Sequence, residues 1–140
     1  MPRRPPLVAA LLTAALALMS GCGFLNAGQP GDTKPDGFML RGYVSVPATG
    51  AGSSCTPAGA ASDITVGTKV TVTDGAGAAM GSAVLGAAVR DGVDCNYPFQ
   101  VPAVPRRDDR YLISIGGRAP VSFPAVPLRQ DKPAVIKIAA

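Results

Sequence analysis

Apolar and polar residues alternate in short segments along most of the chain after residue 37. Phe38, Leu40, Gly42, Val44 and Val46 fall on one face of the first such segment. The same alternation recurs in residues 66–73, 97–103, 111–115 and 135–138. A period of two residues is the pattern of a β-strand with one buried face. The chain is therefore predicted to form a series of short strands.

Two of these segments need further observations to be assigned. Residues 80–89 form an apolar run that Gly81 and Gly86 interrupt. The alanine content of this run suits a helix, but the interior glycines and the turn residues 74–77 before it favour a strand. Pro98 and Pro102 cannot donate hydrogen bonds to a neighbouring strand. The strand at residues 97–103 is therefore expected at a sheet edge or at a bulge.

The pattern as a whole predicts the fold class. A short strand is expected at residues 120–123, a loop between Pro124 and Pro127, and a last strand with Ile136 and Ile138 facing inward. No helix of useful length is expected after residue 37. About seven short strands, with turns at intervals of about ten residues, are typical of an antiparallel β-sandwich. Residues 38–140 are therefore predicted to form one small Ig-like β-sandwich domain.

A different pattern precedes the alternating segments. Residues 7–19 are a mainly apolar run of 13 residues that follows the basic pair Arg3-Arg4. A helix that crosses a bilayer needs about 20 apolar residues, so this run is too short to be a span. A basic start and a short apolar stretch are typical of a secretory signal peptide, which we expect over residues 1–21. Residues 1–6 lack the flanks usual in a twin-arginine signal, so the general export route is favoured.

The end of this run, Leu-Ala-Leu-Met-Ser-Gly-Cys at residues 16–22, resembles the lipobox of bacterial lipoproteins. That resemblance implies cleavage before Cys22 and attachment of lipid to its thiol. Met19 departs from the pattern, in which leucine is usual at the third position before the cysteine. Stable anchoring needs more than one acyl chain, and a diacylated or triacylated Cys22 meets that condition. Residues 22–37 are rich in Gly, Pro and Asp and predict a flexible tether behind the lipid.

The three cysteines are Cys22, Cys55 and Cys95. Acylation of Cys22 leaves an even pair in an exported chain, so we expect a disulfide between Cys55 and Cys95. Closing a loop of about 40 residues contributes about 4 kcal/mol in the chain-entropy model. A redox pair is the alternative, which the absence of a CxxC spacing disfavours. Without acylation, Cys22 is a third disulfide cysteine or a free thiol.

Composition narrows the classes of function. The chain has no His and no Glu, so it lacks the commonest general base and the commonest nitrogen ligand of metals. Its net charge of +4 falls to +2 when Arg3 and Arg4 leave with the signal peptide. It has no Trp and few Tyr and Phe, so the stacking groups of a nucleic-acid surface are scarce. We therefore expect no enzymatic activity, no cofactor and no nucleic-acid partner.

Part of the chain shares its spacing with a known kind of domain. The matching residues are 63–64, 67–74, 95–101, 104–105, 111–118 and 121–123. On these residues the chain resembles a small secreted domain of lipoproteins of unknown function from actinobacteria, the high-GC Gram-positive bacteria. The resemblance implies a compact β domain with one disulfide and assigns no catalytic or ligand residue. Ala119 follows Arg118, where those relatives often have glycine.

Two sets of charged residues are candidate binding sites. Arg106, Arg107, Arg110 and Arg118 are a candidate anion site for phospholipid headgroups or wall polymers. Asp108 and Asp109 lie among them and cancel much of the field, so an ordinary solvated loop is favoured. Asp63, Asp91 and Asp94 offer oxygen ligands of the kind calcium takes. Aspartate is also a common turn residue, and no EF-hand-like loop is present, so turn chemistry is favoured.

Two further candidates concern catalysis and apolar ligands. Ser53, Ser54 and Ser62 would need an adjacent base to act as nucleophiles. With no His, that base would have to be an aspartate or one of the lysines Lys69, Lys132 and Lys137. Residues 80–89 and 101–105 are candidate walls of a pocket for an acyl chain, although filling the sandwich core is the favoured interpretation.

These observations favour one function over two others. The expected protein is a lipoprotein on the outer face of the cell membrane, anchored through Cys22, whose β-sandwich is a non-catalytic binding or scaffolding module. Its expected partners are the membrane and an envelope protein, polymer or lipid. The first alternative is a carrier of a small apolar or lipid ligand. The second is an envelope hydrolase based on Lys and Asp.

Overall fold

The structure is a computed structural model that describes residues 36–140. The predicted signal peptide at residues 1–21, the predicted lipid site at Cys22 and nearly all of the predicted tether at residues 22–37 lie outside the described residues. These three expectations stay predictions.

The described residues fold into nine strands, one short α-helix and one turn of 3₁₀ helix at Gly59–Ala61. The α-helix, α1, spans Ala125–Arg129. The strands are β1 Gly37–Thr49, β2 Thr56–Pro57, β3 Lys69–Thr73, β4 Ala79–Val84, β5 Val89–Asp91, β6 Asp94–Pro105, β7 Arg110–Ile115, β8 Val121–Pro124 and β9 Ala134–Lys137.

The strands form two sheets, as expected of a small all-β sandwich. The first sheet has the order β2-β1-β6-β5, and β9 pairs with β1 beside β2. The second has the order β4-β3-β7-β8. All neighbours are antiparallel except β1 and β9, which run parallel. The predicted fold class is confirmed, with nine strands where about seven were expected.

The core lies between the sheets and is filled from both. Leu40 and Val44 of β1 and Tyr111 and Ile113 of β7 are fully buried. Burying a large aliphatic or aromatic side chain contributes about 1.5 to 3 kcal/mol. The alternation predicted for residues 38–46 and 111–115 is therefore correct on its buried face.

The strand predicted at residues 66–73 begins later than expected. β3 starts at Lys69, and Val66 is 61% exposed. The N–H of Thr65 donates to Oγ1 of Thr68 at 3.1 Å, and the N–H of Thr68 donates to the carbonyl of Thr65 at 3.1 Å. These bonds close a turn in which Gly67 has a φ of +88°. The local hydrogen bonds of the threonine side chain therefore stabilise a turn at residues 65–68, where the alternating pattern predicts a strand.

The apolar run at residues 80–89 is extended, as predicted, but it is two strands and not one. β4 belongs to the second sheet and β5 to the first, so the chain crosses between the sheets after Val84. Leu85 is buried at the crossing, and the N–H of Gly86 donates to the carbonyl of Pro98 at 2.7 Å. A period of two cannot reveal such a crossing, because both strands share the same pattern.

The prolines of β6 lie where a strand can hold them. The carbonyl of Pro98 accepts a hydrogen bond from Gly86 and so points away from β1. Because the nitrogen and the carbonyl of a strand residue lie on the same side, the nitrogen of Pro98 also points away from β1, and no hydrogen bond to β1 is lost. The pairing of β6 with β1 shifts between Phe38 and Leu40, and Ala103, next to Pro102, has a φ of +55°. The expectation of an edge or a bulge is confirmed, with the bulge at Pro102 and Ala103.

The segment after Pro124 is a helix, so the loop predicted between Pro124 and Pro127 is wrong. α1 begins after Pro124 and contains Pro127 in its first turn. The first N–H groups of a helix have no partner within it, so proline is tolerated there. Ala125 and Leu128 of this helix are buried against the core.

The Cys55–Cys95 disulfide is present, as predicted. It joins residues 40 apart with a Cα–Cα distance of 5.6 Å. Beside it, the Arg90 side chain donates to the carbonyls of Gly92 at 2.8 Å, Ser54 at 3.0 Å and Gly50 at 3.1 Å. One bridge and one guanidinium therefore fix the Gly-rich loop between β1 and β2 to the β5–β6 hairpin.

Gly42, in the middle of β1, is the point of closest approach between β1 and its neighbours. A Cβ placed there would overlap the carbonyl oxygen of Ala134 and would stand 2.9 Å from Cε1 of Phe99. Ala134 is the first residue of β9, and the Phe99 ring comes from β6. The missing side chain thus leaves room for both neighbours of β1.

We predict that Gly42→Ala lowers the free energy of unfolding by about 3 kcal/mol, because overpacking at a site without free space forces backbone to move. The measurement is chemical denaturation followed by circular dichroism. Gly117→Ala is the matched control, since a Cβ at this exposed turn residue meets no atom within 4 Å. Equal stability of the two variants would contradict the close approach at Gly42.

Tyr111 anchors the crossing from β6 in the first sheet to β7 in the second. Its hydroxyl donates to the carbonyl of Pro105 at 2.5 Å, across the crossing residues 106–109. Arg129 of α1 donates to the same hydroxyl at 3.1 Å and to the carbonyl of Asp108. Its guanidinium carbon also lies 5.8 Å from the centroid of the Tyr111 ring.

Tyr111→Phe is predicted to lower the free energy of unfolding by about 2 kcal/mol, because it leaves a carbonyl without its partner inside the fold. The measurement is again denaturant unfolding. Tyr43→Phe is the control, because the Tyr43 hydroxyl makes no hydrogen bond to any of residues 36–140. A Tyr111→Phe variant as stable as that control would show that the hydroxyl does not hold the crossing.

Candidate functional site

The candidate site is a cleft of about 500 Å³ where the two sheets separate. β8 is the edge strand of the second sheet, and β9 lies at the edge of the first. Among the described strands, β8 pairs with β7 and β9 pairs with β1, and these two edges are not hydrogen-bonded to each other; α1 connects them along the chain. The lining residues are Ala60, Ile113, Ile115, Arg118, Ala119, Val121, Ile136, Lys137, Ile138, Ala139 and Ala140.

The walls of the cleft are aliphatic. Ile113 and Ile115 come from β7, Val121 from β8, and Ile136 and Ile138 from the segment that contains β9. The contribution of the β9 segment to these walls follows from its alternation, because Ile136 and Ile138 lie on the face opposite to exposed Lys137. The lining has no aromatic ring and no uncharged polar side chain, so its surface suits hydrocarbon.

Arg118 stands at the rim of the cleft in a fixed orientation. Its Nε donates to Oδ2 of Asp63 at 3.2 Å, and its Nη2 donates to Oδ1 of Asp63 at 2.5 Å. Nη2 also donates to the carbonyl of Ala60 at 2.5 Å. This side-on, two-bond pairing fixes the plane of the guanidinium. Nη1 points away from Asp63 and makes no hydrogen bond within residues 36–140.

The electrostatics of the rim follow from this pair. The hydrogen bond from Arg118 holds the pKa of the Asp63 carboxyl below its usual value of 3.8, so Asp63 is ionised at neutral pH. The charge of Arg118 is therefore balanced by Asp63. Lys137, the other cation of the lining, is exposed and has no carboxylate partner among the described side chains.

The four arginines of the candidate anion site are not brought together. Arg106 and Arg107 lie in the β6–β7 connection, and Arg110 is the first residue of β7. Arg118 follows the other end of β7, a strand about 17 Å long at the usual rise per residue. The guanidinium carbon of Arg106 lies 5.5 Å from the centroid of the Phe38 ring. The structure thus separates Arg118 from the other three.

The aspartates considered as calcium ligands are also apart. Asp91 and Asp94 face each other across the β5–β6 turn. Asp63 is engaged with Arg118. Among residues 36–140, no group of three or more metal-ligating side chains is close enough to hold a metal ion.

The residues considered for catalysis lie on the surface. Ser53, Ser54 and Ser62 are exposed, and so are Lys69, Lys132 and Lys137. None of these lysines bonds to a serine or an aspartate within the described part of the chain. This arrangement offers no support to the hydrolase alternative.

The pocket predicted from residues 80–89 and 101–105 is not where the cleft lies. Val101 and Val104 are fully buried, and a Cβ at Gly81 would stand 2.7 Å from Cγ1 of Val101. Met80, Leu85, Val101 and Val104 fill the core, which was the favoured interpretation, whereas Val84 and Val89 are exposed. Sequence reasoning missed the cleft, although it predicted that Ile136 and Ile138 face inward, because the pattern does not say that β9 pairs with β1 and faces β8.

No protein-family model, curated protein or solved structure matches the chain. The class that the fold and the cleft define is a small, disulfide-bonded β-sandwich with an aliphatic groove at one open side. The resemblance to actinobacterial lipoproteins stays a prediction. Within residues 36–140, no helix is long and apolar enough to cross a membrane.

We predict a pH-dependent contribution of the Arg118–Asp63 pair to stability. Because the folded-state pKa of Asp63 is lowered, this contribution is present above the unfolded-state value near 3.8 and is lost as pH falls through the folded value. The stability difference between the wild type and Asp63→Asn should therefore shrink between about pH 5 and pH 2. Urea unfolding midpoints at several pH values measure it.

The control for this prediction is Asp109→Asn, because Asp109 is exposed and forms no ion pair among the described side chains. Its stability difference from the wild type should stay nearly constant over the same pH range. A constant difference for Asp63→Asn as well would show that the pair does not stabilise the fold.

Proposed function

We propose that this chain is a lipid-anchored protein of the outer face of the cell membrane and that its β-sandwich is a non-catalytic binding module. The single observation that carries the binding part is the aliphatic cleft between β7, β8 and β9. Its volume of about 500 Å³ falls within the range of small-molecule sites in proteins. The anchor rests on the lipobox-like residues that end at Cys22.

The chemistry of the cleft supports binding over catalysis. The charged side chains of its lining are those of Arg118 and Lys137, and the other lining side chains are aliphatic. Nucleophilic or acid–base catalysis needs a side chain placed beside a base or an acid that activates it. The chain has no His or Glu, and Asp63 is engaged with Arg118 at the rim.

The same cleft favours one form of binding, that of a carrier for an apolar or lipid ligand. A scaffold for another protein would use an exposed surface, whereas a concave site with aliphatic walls suits a small apolar molecule. An anchored carrier would hold such a molecule at the outer face of the membrane. The actinobacterial lipoproteins that the chain resembles are the proposed relatives, and residues 1–21 and 22–37 are the proposed signal peptide and tether.

The anchor is tested by intact mass spectrometry of the protein purified from its own cells, together with metabolic labelling by an alkyne analogue of palmitate. We predict that residues 1–21 are absent, that Cys22 carries acyl chains and that Cys22→Ala abolishes more than 90% of the label. Ser53→Ala is the matched control, because Ser53 is exposed and distant in sequence from the predicted cleavage site.

Two results would contradict the anchor. The first is a wild-type protein that retains residues 1–21, and the second is a free thiol at Cys22 in the exported protein. Co-purification of the wild-type protein with a lipid, detected by native mass spectrometry, supports the carrier form of the module. Capture of a protein partner in place of a lipid supports the scaffolding form.

A further inference from the structure

We infer that the cleft binds the hydrocarbon chain of a long-chain fatty carboxylate and that Arg118 and Lys137 bind its head group. This inference rests on the proposed binding function and names the ligand class of the same site. The hydrocarbon lies on Ile113, Ile136 and the neighbouring aliphatic side chains. The carboxylate lies at the rim, between Nη1 of Arg118 and Nζ of Lys137.

The lining selects against most other classes of small ligand. Sugars and nucleotides are held by stacking on aromatic rings and by hydrogen bonds from neutral polar side chains. The cleft lining has neither, since apart from Arg118 and Lys137 it consists of Ala, Val and Ile. A flexible alkyl chain needs only apolar contact to bind, and these aliphatic side chains supply it.

Two rim residues give the ligand its polar end: Lys137 supplies the net positive charge, and Arg118, whose charge Asp63 balances, supplies a further hydrogen-bond donor. Asp63 and the carbonyl of Ala60 accept hydrogen bonds from Nε and Nη2 of Arg118, so the guanidinium is held in place before any ligand binds. The remaining Nη1 is a charge-assisted donor that faces away from the acidic partner. Lys137 lies on the exposed face of β9 and adds a second donor at the rim. Two donors match the two oxygens of one carboxylate.

The position of the rim also separates the head from the hydrocarbon. Ile136 and Ile138 point into the cleft, and Lys137 between them points out, because successive side chains of a strand alternate. Arg118 lies just past the end of β7, whose Ile113 and Ile115 form the deeper wall. An amphiphile with one charged end therefore fits with its tail along the sheets and its head in water.

The inference is tested by photocrosslinking in membranes that contain the full-length protein. The probe is a hexadecanoate with a diazirine in its chain, and the labelled residues are located by mass spectrometry of peptides. We expect label in peptides that contain residues 111–121 and 134–140. An excess of unlabelled hexadecanoate should reduce the label in these peptides at least tenfold. Hexadecanol, which lacks the charge, should need at least a fivefold higher concentration to reduce the label equally.

Two pairs of variants test the roles of the residues. Lys137→Glu and Val121→Glu should each lower the label at least fivefold, the first by repelling the carboxylate and the second by placing a charge in the apolar wall. Lys132→Glu and Val126→Glu are the matched controls, since both residues are exposed and neither lines the cleft. These controls should label as the wild type does.

Three results would overturn the inference. They are label that maps outside the cleft, equal competition by hexadecanol, and wild-type labelling of both Lys137→Glu and Val121→Glu. If the cleft is not labelled but Cys22 is acylated and a protein partner is captured, the proposed anchored binding module is supported and the fatty carboxylate ligand is ruled out. Labelling of the cleft without acylation of Cys22 would keep the ligand and remove the anchor.

Discussion

The absence of a side chain at Gly42 is the constraint on which the first sheet depends. The carbonyl of Ala134 and the ring of Phe99 both occupy space that a Cβ would need. β1 can therefore accept β6 on one edge and β9 on the other, in register from Gly42 to Ser45 with β9. Because β9 carries Ile136 and leads directly into Ile138, this close approach also places one wall of the cleft. A local backbone feature thus allows the close pairing of a strand that lines the cleft.

Polar anchors hold the places where the chain passes from one sheet to the other. The Tyr111 hydroxyl spans the β6–β7 crossing, and Arg118 joins the turn after β7 to the segment that precedes β3. Within the first sheet, Arg90 and the disulfide of Cys55 fix the loop between β1 and β2 to the β5–β6 hairpin. Strand pairing holds each sheet together but does little to align one sheet with the other. Buried or charge-assisted bonds at the crossings supply that alignment, since each satisfies a carbonyl that has no strand partner.

The cleft follows from the way in which the sandwich ends. A sheet edge left without a neighbour strand exposes backbone and side-chain surface. Here the edges β8 and β9 are joined by a five-residue helix and not by a further strand, so the aliphatic interior opens to solvent between them. Arg118 and Lys137 at the rim turn an apolar opening into a site with a polar end. An anchor at Cys22 would place such a site at a membrane surface, where apolar ligands concentrate.

The sequence by itself determined the strand content, the buried faces of β1 and β7, the disulfide and the presence of either an edge or a bulge at the prolines of β6. These features depend on period-two alternation, cysteine number and proline chemistry, all of which act within a few residues or by simple pairing. Only the tertiary structure decided that residues 80–89 divide between two sheets, that α1 replaces a loop and that β9 pairs in parallel with β1. The alternation of Ile136 and Ile138 says that one face is buried, but it does not say which strand lies beside them. The cleft depends on that long-range pairing, which no local pattern encodes.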